Sequence, residues 1–307
     1  MRHITFRQFE VFAAIARLGS FTRAAEELFL TQPTVSMQIK KLTDTVGLPL
    51  FEQIGKKIHL TDAGHGLLHY SRLITQQLDE MDAMFSEMKG LELGRLNISV
   101  VSSANHFMPH LLAQFINLHP NIRVNLHIAN RDAVIKQLVE NSTALAIMGQ
   151  PPEGTDMLAQ SFMDNPLVVI AAPNHPLTKE SAISPKRLAQ ETFLLREQGS
   201  GTRDVMERFF ATHKLVPASS MRMDTNEAIK QSVQAGLGLG IVSLHGISLE
   251  LEAKRVAILD AKHFPIMRYW HIVHRKNQRL STATHAFKEF LLTAAQPRLT
   301  VGHSPAR

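Results

Sequence analysis

The chain has 307 residues, 44% hydrophobic and 20% charged, the composition of an ordinary globular protein long enough for two or three domains. It holds no cysteine, no apolar run of membrane-spanning length and no apolar leader at its N-terminus, which excludes disulfide and thiolate chemistry and leads to the expectation of a cytoplasmic protein without a membrane partner. The formal net charge is +6, but residues 1–61 hold eight Lys/Arg against five Asp/Glu, residues 62–94 two against six, and residues 262–307 eight against one. The strongest basic bias therefore lies at the C-terminal end, where solvated surface is the first reading and attraction of an anionic ligand the second.

In chain order, Phe9, Phe12, Ala13 and Ala16 give an amphipathic helix. Ser20 caps a short helix carrying Ala24, Ala25 and Leu28, Phe29-Leu30 form a turn, and Thr31 caps the next helix, with Pro33 in its first turn. Val35, Ile39, Leu42 and Val46 mark the buried face of that last helix, leaving Pro33, Ser36, Met37 and Lys40 opposite, with Gln32 and Thr34 at the tip. Two capped helices joined by so short a turn read as a helix-turn-helix, with the second helix positioned to enter a DNA major groove; capping alone is the plain alternative role for Thr34. Pro49–Leu60 reads as two short strands around Gly55, a wing that places Lys56 and Lys57 against phosphate.

Thr61-Asp62 opens a long helix in which Leu67, Ile74, Met81 and Met88 recur every seven residues and Leu78 and Phe85 form a second series, interrupted at Ser71. This heptad pattern predicts a coiled-coil homodimer through Leu67, Ile74, Leu78, Met81 and Phe85, although a single amphipathic helix packed on its own domain gives a similar pattern. Strands then alternate with helices: strands at 96–101, 123–128, 145–148, 167–172, 193–195, 221–223, 241–243 and 269–274, and helices at 107–118, 133–140, 202–212, 227–235 and 283–292. The tail from Pro297 has the composition of disorder.

The phrases FRQFEVFAAIARLGSFTRAAEELFLTQPTVSMQIKKL and LPLF…LTDAG, over a chain organised in this way, resemble the LysR-type transcriptional regulators across about residues 1–295. DNPLVVIAAPNHPL, REQGSGTR and NEAIKQSVQAGLGLG are most similar to the branch that controls RuBisCO and Calvin-cycle operons. The resemblance implies an α+β multidomain protein. A winged helix-turn-helix occupies residues 1–61, a linker and dimerisation helix 62–89, and a tail 296–307. An effector-binding region at 95–295 comprises two α/β subdomains like those of type 2 periplasmic binding proteins, subdomain I at about 95–165 and 269–295 and subdomain II at about 166–268.

It also implies the following roles. Gln32, Pro33, Thr34 and Ser36 enter the major groove, Lys40 meets phosphate, and homodimers pair into a homotetramer. Many family members carry Arg in the wing where this chain has Gln53, which weakens the case for a phosphate contact there. The effector lies between the subdomains, against Ser102, Ser103, Ser200, Gly201, Thr202 and Arg203, with Gln150 and Asn226 as weaker candidates and Arg196 and Asn130-Arg131 weaker still.

The segment Gly199-Ser200-Gly201-Thr202-Arg203 has its own logic. Glycines allow close backbone approach, the following helix presents free N–H groups, and Thr202 and Arg203 are expected to hold an anion. A glycine turn with Ser/Thr caps and a solvated Arg is the competing reading. Ribulose 1,5-bisphosphate is the favoured effector, with phosphoenolpyruvate, ATP and NADPH as competitors, and RNA polymerase is a further partner of an activator. No cofactor or metal is expected: Gly236-Leu237-Gly238-Leu239-Gly240 follows a helix rather than a strand, and the pairs His65/His69 and His106/His110 lack a third ligand. A solute-binding protein would need an export signal, and an enzyme a convergent nucleophile or acid–base set; neither is visible, and a regulator of another operon with a different small-anion effector is the nearer alternative.

Overall fold

The computed structural model describes residues 4–55, 57–88, 94–154, 156–276 and 278–294. It divides into two compact units, residues 1–82 and 83–307.

The first unit contains α1 (Phe6–Leu18), α2 (Phe21–Glu27), α3 (Gln32–Val46), the hairpin β1 (Phe51–Ile54) and β2 (Lys57–Leu60), and the first part of α4 (Asp62–Met88). Each helix starts where a side chain accepts a backbone N–H. Thr5 and Gln8 form a capping box on α1, Ser20 caps α2 and Thr31 caps α3, whose Pro33 needs no donor in the first turn. Val11, Phe12 and Ile15 of α1, Ala24 and Ala25 of α2, and Val35, Ile39 and Leu42 of α3 meet in one core with Leu50 and Leu68. The buried stripe of α1 thus runs through Gln8, Val11, Phe12 and Ile15, with Phe9, Ala13 and Ala16 only half-buried, a rotation from the expected stripe. Val11, Phe12, Ala14 and Ile15 share one core with Ala24, Ala25, Val35, Ile39 and Leu42 of the other two helices, so that this is the face turned inward. Phe51 closes the core against the rings of Phe12 and Phe21, at 5.2 and 5.9 Å. Thr61 bridges the wing to α4, donating to the Pro49 carbonyl at 2.6 Å and accepting from Gly64 N–H at 3.0 Å. Gly64 is required there, because a Cβ would collide with the Leu50 carbonyl.

The second unit holds two five-stranded sheets. One, ordered β4-β3-β5-β12-β6, is built from β3 (Gly94–Val101), β4 (Ile122–Ala129), β5 (Leu145–Met148), β6 (Met157–Asp164) and the late-returning β12 (Tyr269–Arg275). The helices α5 (Met108–Leu118), α6 (Arg131–Val139) and α11 (Thr282–Ala294) bury Phe115, Leu138 and Phe287 against it, around Trp270. The other sheet, ordered β11-β7-β10-β8-β9, takes β7 (Leu167–Ala171), β8 (Thr192–Arg196), β9 (Ser219–Met223), β10 (Leu239–Ser243) and the short β11 (Ala257–Ile258). The helices α7 (Pro185–Leu188), α8 (Gly201–Thr212), α9 (Asn226–Gln234) and α10 (Ser248–Glu252) belong to it.

The chain passes between the sheets twice, at 165–166 and at 265–268, and these crossings are hydrogen-bonded to each other. Asn165 N–H donates to the Arg268 carbonyl at 2.7 Å, and Leu167 and Ile266 exchange bonds of 3.0 and 2.9 Å. β6 was not expected from sequence. Its sequence, MLAQSFMD, is largely apolar but does not alternate with period 2, none of its residues is buried, and it exists because β12 offers an edge along which residues Met157–Asp164 pair antiparallel.

Candidate functional site

The first unit presents α3 as a reading surface. Gln32, Pro33, Met37 and Lys40 are exposed and Thr34 and Ser36 half-exposed, on the side opposite Val35, Ile39 and Leu42. The Gln32 amide donates to Ser36 Oγ at 3.0 Å, so the two form one polar unit. The Thr34 hydroxyl shares a 2.8 Å bond with Thr31 Oγ1 and its N–H donates to the same oxygen; Thr31 is thus the capping side chain, and the Thr34 methyl is what remains for a thymine contact. In the wing, Lys57 is exposed at the start of β2, Lys56 lies outside the described residues, and Gln53 donates to the Gly55 carbonyl at 3.0 Å, bracing the turn rather than standing free for phosphate.

Along α4 the expected seam divides. Leu67 is half-buried against the winged-helix core, Leu68 is buried within it, and Ser71 is buried with its hydroxyl on the Leu68 carbonyl. Leu78 is half-exposed, and Ile74, Met81 and Phe85 stand exposed. The apolar stripe uncovered in a single chain therefore starts at Ile74.

The second unit holds a cleft between its two sheets, with a residual cavity of about 30 Å³. β3 ends in Ser102 and Ser103, β5 leads to Gln150, α6 begins with Arg131, β8 ends in Arg196, and α8 begins at Ser200-Gly201-Thr202; all of these line the cleft, together with Asn165, Ser243 and Arg268. Gly199 sits at φ +82°, and a Cβ there would come within 2.8 Å of Asp132 Oδ2, so only glycine lets the loop approach α6. The Ser200 side chain makes no capping bond, which leaves the first N–H groups of α8 available to an anion.

The guanidinium groups differ in how they are balanced. Arg196 is 4% exposed and is met by both oxygens of Glu197, at 2.8 and 2.9 Å; it also donates to Asn226 Oδ1 and, at 3.0 Å across the cleft, to Ser102 Oγ. Arg131 donates to the Gln150 carbonyl at 3.1 Å and lies 3.5 Å from the largely exposed Asp132. Arg268 donates to Gln150 Oε1 at 2.6 Å and has no ion pair among the described residues. Burial first, then the fields of Arg208 and Arg131, lower its pKa to about 10. Asn165 Oδ1 and Ser243 Oγ are buried without a partner. A narrow cleft with one cation lacking a carboxylate, free helix N–H groups and the unpartnered Ser243 hydroxyl has donors suited to an anion, while the unpartnered Asn165 Oδ1 can only accept.

Two expected effector contacts lie elsewhere. Arg203 bonds to Glu207 at 2.7 Å and to the Arg196 carbonyl at 3.3 Å and does not line the cleft, because one step along α8 turns its side chain away from Thr202. Asn226 holds Arg196 rather than the cavity. Asn130 caps α6 through Ala133 N–H at 2.9 Å. Arg268, Asn165 and Ser243 were missed; only the basic excess of residues 262–307 pointed toward the first. A second inter-sheet contact brings His106 against Gly246 and the ring of Phe107 to 5.9 Å from that of His245, whose Nε2–H donates to the Asp164 carbonyl at 2.8 Å. Burial holds both imidazoles below their ordinary pKa. No group of three metal-ligating side chains occurs among the described residues, and no helix among them is long and apolar enough to cross a membrane.

Residues 6–65 match the model of the bacterial regulatory helix-turn-helix protein, lysR family, and residues 89–296 that of the LysR substrate binding domain. The RuBisCO operon transcriptional regulator of Allochromatium vinosum is 50% identical over 293 residues, covering 95% of this chain and 97% of that protein. The HTH-type transcriptional activator CmpR of Synechocystis sp. is 45% identical, over 95% of this chain and 96% of its own. The solved regulatory domain of Synechocystis PCC6803 CcmR in complex with 2-PG has a TM-score of 0.64 and 36% identity, covering 66% of this chain and 98% of that domain. A capped reading helix, a wing and a two-sheet cleft, each within the span of its matching model, carry one conclusion: the chain belongs to the LysR family of DNA-binding transcriptional regulators and is not an enzyme.

Proposed function

We propose that this regulator controls a carbon-fixation operon of the RuBisCO type, as an activator responding to a small phosphorylated metabolite in the inter-sheet cleft. The observation that carries the effector class is Arg268, a half-buried guanidinium with no carboxylate partner among the described residues beside the open N-terminus of α8. The relatives named above supply the target operon. Gln32, Pro33, Thr34 and Ser36 read bases, and Lys40, Lys57 and Lys56 neutralise phosphate. Ile74, Leu78, Met81 and Phe85 join two chains, so that two reading helices meet a two-fold related site, and such dimers pair into tetramers in the cytoplasm.

Ser102, Ser103, Gln150, Ser200, Gly201, Thr202, Arg131 and Arg268 hold the effector, while Asn226 and Glu197 position Arg196. In the ligand-free state the Arg196–Ser102 and Gln150–Arg268 bonds fill the cleft; phosphate oxygens accept from those donors in their place. The ligand thereby favours a different spacing of the two sheets, which re-sets how dimers pair and present DNA to RNA polymerase. Ribulose 1,5-bisphosphate, phosphoenolpyruvate, 2-PG, ATP and NADPH all carry the required phosphate, and the first three need the least opening.

Footprinting of the operator upstream of RuBisCO genes, with and without each metabolite, tests this reading. A metabolite-dependent change in the protected region, lost in Thr202→Ala, is expected. A footprint indifferent to every phosphorylated metabolite overturns the effector class, and no footprint on such an operator overturns the target.

A further inference from the structure

On the far side of Gln150 and Arg268 lies a second, larger cavity of about 470 Å³, within the range of small-molecule sites. The Gln150–Arg268 pair lines both spaces and forms the partition between them. One end of the larger cavity is cationic. Arg208, on α8, lines it and does not line the cleft, and its charge is felt at Arg268. Neither guanidinium has a carboxylate within ion-pair distance among the described residues; Asp204 is the acid whose field reaches Arg268. Like charges placed together without a counter-ion need an anion to offset their repulsion. The rest of the wall is mostly apolar, with Val205, Phe209, Ile266 and Tyr269, and it also includes Thr212, His213 and His271.

We infer that this cavity is a second ligand site, distinct from the cleft, for an organic phosphate carrying a flat apolar ring, the chemistry of a nucleoside monophosphate. The phosphate lies between Arg208 and Arg268, and the ring packs on Phe209 and Tyr269. A bare phosphate satisfies only the cationic end and an uncharged nucleoside only the apolar wall. The site itself does not depend on the effector proposed for the cleft, but its coupling does. An anion in the cleft draws on the same Arg268 and adds a negative charge across a thin partition, so each ligand weakens the other, and by linkage to the same degree.

Calorimetry on the full-length chain decides the matter, with AMP, inorganic phosphate and adenosine as probes. AMP binds wild type, while phosphate and adenosine each bind at least about tenfold more weakly. Arg208→Ala weakens AMP at least about tenfold, as loss of a charge-assisted contact requires, and leaves the 2-PG titration unchanged. Met267→Glu, at an exposed position on the rim, does the same without disturbing the core. Saturating 2-PG lowers the AMP affinity of wild type. The inference is overturned if AMP gives no binding heat, if adenosine binds as well as AMP, or if Arg208→Ala and Met267→Glu both retain wild-type AMP affinity. AMP affinity unchanged by bound 2-PG removes the shared use of Arg268. AMP binding that depends on Arg208 in a chain that takes no 2-PG leaves this site standing and removes 2-PG as the cleft ligand.

Discussion

Arg268, whose pKa burial lowers and which has no ion pair among the described residues, is expected to cost the fold stability. Replacing it with methionine keeps the length and apolar stem of the side chain and removes the charge. Burial lowers its pKa from the ordinary guanidinium range to about 10, and at about 1.4 kcal/mol per pH unit a shift of that size corresponds to a cost of about 3 kcal/mol. Solvent at the partly open cleft reduces that figure. The cost is fully present below pH 10, where the group is charged in both folded and unfolded chains, and shrinks only as pH rises above 10. The 2.6 Å bond to Gln150 offsets about 1–2 kcal/mol of it. Arg268→Met is therefore expected to raise ligand-free stability at pH 7 by about 1–2 kcal/mol, read as a higher urea midpoint at unchanged slope. The same substitution should abolish the thermal stabilisation conferred by 2-PG, because the residue that destabilises the empty cleft is the one the phosphate neutralises. A mutant less stable than wild type by more than about 1 kcal/mol, with its 2-PG response intact, refutes this reasoning and makes Arg268 a structural cation.

Other substitutions separate the remaining roles. Gln32→Ala or Ser36→Ala should lose about 1–3 kcal/mol of operator affinity with the dimer intact, whereas Lys40→Ala should weaken specific and non-specific DNA alike and lower the salt slope by about one; gel-shift titrations at several salt concentrations distinguish them, and unchanged operator affinity in both polar mutants removes α3 as the reading helix. The double change Ile74→Asp and Leu78→Asp should sediment as a monomer, since it places charge on the uncovered stripe of α4; wild-type assembly would return that stripe to a single chain. Arg203→Ala should keep the metabolite response and cost no more than about 0.5 kcal/mol, because its partner Glu207 is on the surface, and loss of the response would place Arg203 back in the cleft. Stability should be level between pH 8 and 7 and fall as pH drops below about 6.5, because the unfolded chain takes up protons that the half-buried His106, His245 and His271 and the buried His274 exclude; urea midpoints that hold constant down to pH 5.5 would contradict this.

The helical half of the molecule was legible because its signals are local. Thr31, Pro33 and the spacing of Val35, Ile39 and Leu42 specify where α3 starts and which face it buries, and nothing distant alters that. The cleft was half legible for the complementary reason. Ser102 and Thr202 sit at a strand end and a helix start, positions that sequence marks, and they do line the cavity. Whether Arg203 or Arg268 faces it depends on helix rotation and on a strand that returns about a hundred residues later, which no local pattern encodes. β6 escaped notice similarly: an edge strand with polar residues on both faces owes its existence to its neighbour.

The two chain crossings beside the cleft are laced to each other by the bonds among Asn165, Leu167, Ile266 and Arg268. A single tether would let the two halves swivel and slide in any direction. A paired ribbon bends about one line and resists both twisting and shear, since either would break its hydrogen bonds. Flexing about the ribbon is the movement that leaves its hydrogen bonds intact, and in such a flexing the far edge of each sheet would travel farther than the atoms beside the cleft. A displacement too small to matter at Arg268 becomes an appreciable shift at the outer strands β4 and β9, the edges farthest from β6 and β11 in their sheets.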